Sequence, residues 1–291
     1  MESSHKLSER KEPFWNAFSS WKEAELAWDQ GSVEAEEQQK NRSLKHLPRM
    51  ISITPQTKRF LSTRAARHLL FPPDGNGGRE IRRALLRHPL RYATRHLRAT
   101  LQKSKVLREG PFSLHGYRSL QEFEEDLCRE DTLVVVGFSY CEKPFECPSR
   151  RFSLECIHDP DHPVCRQCWI GKMQNALPSQ NHVRSLIIRT VHDIGEELFA
   201  LRHAHPQRKI IFLITACTLA IEMFKNWPQV LSIRGVSVHF AGRICNTFSS
   251  FLLAEKGIKP GLVVTPQKAK ERMLSWIRLR RELGKEETRI A

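Results

Sequence analysis

The chain has 291 residues, 40% of them hydrophobic and 27% charged, with a formal net charge of +15. That length accommodates one sizeable core plus a second unit, and eight cysteines are too dilute for a disulfide scaffold. The opening MESSHKLSERKEP lacks the apolar stretch of a signal peptide, and the longest uncharged apolar run, IIFLITACTLAI, falls short of the about 20 residues that span a bilayer. The expectation is a cytoplasmic protein with no transmembrane segment and with reduced thiols, a setting in which clustered cysteines bind metal or do redox chemistry more often than they form bridges.

Charge is distributed unevenly. Residues 1–40 carry 5 basic and 9 acidic side chains, residues 41–108 carry 17 and 2, and residues 109–291 carry 25 and 21. The formal excess therefore equals that of the middle segment alone, and any contact with nucleic acid or another polyanion belongs to residues 41–108.

The first predicted element is a helix over PFWNAFSSWKEAELAWDQG, with Pro13 at its start and Gly31 as its stop. Phe14, Phe18, Trp21 and Trp28 share one face, which either docks on the chain's own core or, through residues 13–30, recruits a protein partner. The flanking acidic residues argue against anionic lipid. From Glu34 to Arg49 the chain is polar and reads as disordered, and FPPDGNGG over residues 71–78 reads as a linker. REIRRALLRHPLRYATRHLRATLQKSK then predicts two short helices meeting at Pro89. Leu90, Ala93, Leu97 and Leu101 form the apolar stripe, and Arg91, Arg95 and Arg98 line another face. A solvated basic face and a polyanion contact fit this pattern equally well.

From residue 119 onward apolar strands alternate with helices. Ser119 and Glu122 form a capping box before SLQEFEEDLCRE. The strands are TLVVVGFS, VRSLIIRTV, KIIFLITA, VSVHFA and a short GLVVT, and PQKAKERMLSWIRLRRELG closes the chain as an amphipathic helix. Continuous apolar strands separated by helices indicate a Rossmann-like α/β fold: an open, mostly parallel sheet with helices on both faces. The expected organisation is an aromatic helix and a mostly disordered basic segment over 1–70, the linker over 71–78, a basic helical segment over 79–118, and a cysteine-rich α/β domain over 119–291.

Seven of the eight cysteines fall at strand ends or in one loop. Cys141, Cys217 and Cys245 close apolar runs, and Cys147, Cys156, Cys165 and Cys168 lie in CEKPFECPSRRFSLECIHDPDHPVCRQC. In a parallel sheet all seven face the carboxyl edge, where open α/β folds place their sites. Cys165 and Cys168 form a C-x-x-C pair able to grip one metal or cluster from one turn, and a helix starting there would lower their pKa. The preceding gaps of five, eight and eight residues are not zinc-ribbon knuckles and suit an iron–sulfur cluster better than zinc, and Cys147-Pro148 is similar to the end of a bacterial ferredoxin run. Cys217 precedes Thr218 and Cys245 precedes Asn246-Thr247, both N-cap residues, so these thiols also sit at helix starts, and with Cys141 they either form a second centre or complete the first. His158, Asp159, Asp161 and His162 read as an exposed turn, with a ligating imidazole as the alternative. Cys128, late in an acidic helix, receives no role.

The order CEKPFECP, CRQCWIGK, ITAC, GRICNT over about residues 131–265 resembles the uncharacterised cysteine-rich family known as domain of unknown function 116. The resemblance implicates Cys141, Cys147, Cys165, Cys168, Cys217 and Cys245, with Gly171 and Thr247 beside them. No nucleophile elbow, phosphate loop or dinucleotide fingerprint is present, so hydrolase chemistry has no support. The expected function is an iron–sulfur or zinc α/β protein with a redox or accessory-enzyme role. The alternative is a non-enzymatic, zinc-stabilised module that contacts a polyanion through residues 41–108.

Overall fold

A computed structural model describes residues 13–39, 53, 55–58, 61–71, 78–101, 106–178, 182–259 and 261–290. Its centre is a six-stranded, mostly parallel sheet: β1 (Leu107–Glu109), β2 (Phe112–His115), β3 (Leu133–Ser139), β4 (Val183–Ile188), β5 (Ile210–Ala216) and β6 (Arg234–His239). The strand order is β1-β2-β6-β5-β3-β4. Strands β4, β3, β5 and β6 run parallel, and β2 joins β6 antiparallel. The sheet therefore begins at Leu107, before the expected boundary at Ser119. Strand β1 is exposed along its whole length and carries no apolar alternation to mark the hairpin.

Successive β3 residues serve two different cores, as strand periodicity requires. Val134, Val136 and Phe138 pack with helices Trp169–Ala176 and Gln267–Ile290, while Leu133 and Val135 pack with helices Val191–Ala204 and Thr218–Phe224. Strand β3 thus continues to β4 on one side while β5 lies on its other side, and a crevice opens at the carboxyl ends of β3 and β5. GLVVT contributes only β8 (Val263–Val264), paired with β7 (Ala241–Gly242) in a separate two-stranded sheet.

The amino-terminal aromatic segment is not one helix. A 3₁₀ turn, Phe14–Ala17, precedes an extended Phe18, and the helix runs Trp21–Gln39. Gly31 does not stop it. The position lies against Arg166, whose guanidinium stacks on Phe14 and Trp28, and a Cβ there would collide with it. Trp28 is buried, and Phe14, Phe18 and Trp21 pack half-buried against the same core, so of the two readings of this aromatic face it is docking on the protein's own core that the fold shows. The helix also extends to Gln39, past Glu34 where disorder was expected; the remainder of that segment, residues 40–49, lies outside the described residues, as does nearly all of the 71–78 linker.

Two further corrections concern the basic region. Helix Leu61–Leu70 forms where mostly disordered chain was expected, because Leu61, Ala65 and Leu69 share a face that the sheet's second core buries. Helices Arg79–Arg87 and Pro89–Leu101 do meet at Pro89, but the second is turned the opposite way. Leu90, Leu97 and Leu101 are 80%, 59% and 73% exposed, and the buried face consists of Tyr92, Arg95, His96 and Ala99. Tyr92 meets Phe199, His96 meets Trp227, and Arg95 donates to the Val230 carbonyl. Aromatic contacts and a satisfied guanidinium outweigh the leucine stripe. No helix among the described residues is long and apolar enough to cross a membrane.

Candidate thiol sites at the carboxyl edge of the sheet

The seven cysteines assemble into two groups at that edge. Cys147, Cys156, Cys165 and Cys168 line one small cavity together with Pro144, Ile170 and Gly171. The loop carrying them is built around two cations, the buried Lys143 and the half-buried Arg151. Lys143 donates to the carbonyls of Arg150, Ser153 and Glu155, which pins the span between Cys147 and Cys156. Arg151 donates to the carbonyls of Lys143, Cys141, Lys259 and Gly261, tying this loop to the second group.

The C-x-x-C pair does not open a single helix. Cys165 lies in the short helix Pro163–Gln167, and Cys168 is the extended joint between it and helix Trp169–Ala176. Gly171 belongs at this joint because a Cβ would strike the Cys165 carbonyl oxygen. Backbone N–H groups are directed at the sulfurs: Ile170 and Gly171 at Cys168, His158 at Cys156, Asp159 at Cys165. The expected lowering of these pKa values by the helix start is nevertheless wrong in sign. Burial pushes the Cys165 and Cys168 thiols up to about 12, and it raises Cys156 as well.

The HDPDHP stretch is a turn. His158 adopts positive φ, with its Nδ1 on the Cys156 carbonyl, and His162 Nδ1 accepts from Val164 N to cap the short helix. Next to Cys141, the buried Glu142 accepts from Thr265 N through Oε1 at 2.6 Å, and burial raises its carboxyl to about 7. No local pattern marks Glu142, Lys143 or Arg151, whose roles depend on partners that only the folded loop brings near.

Cys141, Cys217 and Cys245 form the second group, on the wall of an apolar cavity of ≈ 160 Å³ that runs from the crevice between β3 and β5 toward Phe212 and Trp227. Cys217 is itself the N-cap of helix Thr218–Phe224, its sulfur accepting from Ala220 N at 3.4 Å, so Thr218 is the first helical residue and not the cap. Thr247 caps the next helix, Phe248–Glu255, as expected. Cys217 donates to the Cys245 sulfur, and Lys259 Nζ stands 3.3 Å from the same atom. The two thiols consequently move in opposite directions. Donating to Cys245, together with burial, raises Cys217. Cys245 falls below the ordinary thiol range because it accepts from Cys217 and, against its own burial, from Lys259. Burial raises Cys141.

No family model matches this chain. No curated protein or solved structure matches it either.

Among the described residues no three cysteine sulfurs lie within 4.8 Å of one another. A single tetrahedral ion with Zn–S of about 2.3 Å sets its sulfurs roughly 3.8 Å apart, so neither group has the spacing of a closed zinc site. Cys128 is exposed at the end of helix Leu120–Leu127 and lies in neither group.

Proposed function

We propose that this is a Rossmann-like α/β protein akin to the domain of unknown function 116 family, holding an iron–sulfur cluster through Cys147, Cys156, Cys165 and Cys168. The observation that carries the proposal is the convergence of these four thiols on one cavity, with backbone N–H groups aimed at three of the sulfurs. Four thiolates spaced more widely than one ion allows, with N–H donors to sulfur, suit a cluster, whose own atoms separate its ligands. Burial raises Cys156, Cys165 and Cys168, and coordination supplies the positive charge that lets such thiols ionise.

A bound cluster supplies one-electron chemistry. The chain's own residues shape everything around it. Lys143 and Arg151 hold the loop closed, and Gly171 lets the Cys168 joint approach Cys165. Cys141, Cys217 and Cys245 lie where ligands bind in open α/β sheets, with the Cys245 thiol held below its ordinary range. The proposed role is redox or accessory-enzyme chemistry in that cavity.

The test is anaerobic purification followed by iron, zinc and acid-labile sulfide analysis and a visible spectrum. Iron with sulfide and a brown chromophore, lost in Cys165→Ser and Cys168→Ser but kept in Cys128→Ser, is the expected result. Zinc without sulfide would move the reading to the alternative, a zinc-stabilised module that contacts a polyanion. The observation favouring that alternative is the exposed run of Arg83, Arg87, Arg91 and Arg98. Its signature is an affinity for nucleic acid that falls steeply with salt.

A further inference from the structure

A third chemical grouping lies outside both sets of cysteines. His68 comes from helix Leu61–Leu70, His192 from the first turn of helix Val191–Ala204, and Glu255 from the last residue of helix Phe248–Glu255. All three side chains are buried or nearly so, and one ligand atom of each lies within 4.8 Å of the other two. His68 Nε2 is 3.2 Å from Glu255 Oε2, and the two imidazole rings stand 5.1 Å apart. Phe248 and Phe251 present their edges or faces to the His68 ring and keep the surroundings apolar.

We propose that His68, His192 and Glu255 bind a divalent first-row transition-metal ion. Two imidazoles and one carboxylate are the donor set such ions take when coordination positions are left open. Ligands at about 2.1 Å from a common ion stand roughly 3 to 3.5 Å from each other, and the His68–Glu255 pair already has that spacing. The supporting shell is also present. His192 Nε2 faces the His68 carbonyl at 3.1 Å and must donate to it, which fixes the tautomer with the lone pair on Nδ1. Glu255 is held by Val191 N, which lies 3.2 and 3.1 Å from its two oxygens. Of the three side chains only Glu255 reaches the wall of the apolar cavity that Cys217 and Cys245 also line. Glu255 is thus the member of the trio that borders the space a substrate would enter. The site depends on none of the cysteines.

Co²⁺ is the probe, titrated anaerobically into the full-length protein after removal of bound metal. Nitrogen and oxygen ligation gives weak visible bands without the intense sulfur-to-cobalt charge transfer that thiolate ligation adds. The expected result is a saturable one-equivalent component of the first kind, with two exchangeable imidazole N–H resonances shifted by the paramagnetic ion. His68→Ala and Glu255→Gln each weaken that component by tenfold or more, while a Cys165→Ser/Cys217→Ser variant retains it. Visible bands that are unchanged in His68→Ala and Glu255→Gln, or that follow the cysteine variant, would overturn the assignment. Absence of the shifted imidazole resonances from the wild-type protein at saturating Co²⁺ would also overturn it, and that reading does not depend on whether any variant folds.

Discussion

Lys259 Nζ lies 3.3 Å from the sulfur of Cys245, at a cavity wall where the other two thiols, Cys141 and Cys217, are raised above their ordinary range. The proton donated by Cys217, seconded by this one ammonium, reverses at Cys245 what burial does to the neighbouring thiols.

In metal-free protein, the ultraviolet thiolate absorbance that disappears in Cys245→Ser should titrate below the ordinary thiol value of about 8.5. Lys259→Met removes the opposite charge and should raise that midpoint by about one pH unit or more. An unmoved midpoint would show that Lys259 does not set the charge of this thiol.

Gly171→Ala adds a Cβ that meets the Cys165 carbonyl oxygen, and backbone cannot move aside as a side chain end can. The variant should lose bound metal along with Cys165→Ser while its circular dichroism stays close to wild type. Full metal retention would mean that the joint between the two short helices tolerates displacement.

His115 and His239 sit on the paired strands β2 and β6, bonded to Ser237 and Ser113 respectively, and burial lowers both to about 4. Between pH 6.5 and 4 the unfolded chain takes up protons at these positions that the folded chain refuses, so their contribution to stability is complete above pH 6.5 and is lost as pH falls through that window. For His115 the shift corresponds to roughly 3 kcal/mol at about 1.4 kcal/mol per unit. His115→Gln should therefore lose less stability than wild type when denaturation at pH 7 is compared with pH 4.5. Parallel losses in the two proteins would refute the assignment.

Trp28 is 1% exposed, packed between Phe14 and Trp15 and covered by Arg166. Trp28→Ala should cost about 3–5 kcal/mol in chemical denaturation. Leu90→Ala, at a site 80% exposed, should fall within about 0.5 kcal/mol of wild type. Comparable losses would show that the leucine stripe faces inward after all.

What could be read along the chain was whatever depends on near neighbours. Apolar runs such as TLVVVGFS and KIIFLITA marked β3 and β5 as parallel strands buried on both faces, and the cysteines at their ends followed from strand direction. The Thr247 cap was legible because its hydrogen-bond partner, Ser250, is three residues away. Tertiary structure decided the rest. It divided seven thiols between two cavities, and it set the sign of the Cys165 and Cys168 shifts through burial, which no spacing encodes. It turned Leu90 outward because Tyr92 and His96 found Phe199 and Trp227 more than a hundred residues away. It joined His68, His192 and Glu255 from three separate helices, a meeting that exists only once those helices pack on the same face of the sheet. Local periodicity specifies elements, whereas long-range packing specifies which side chains share a site.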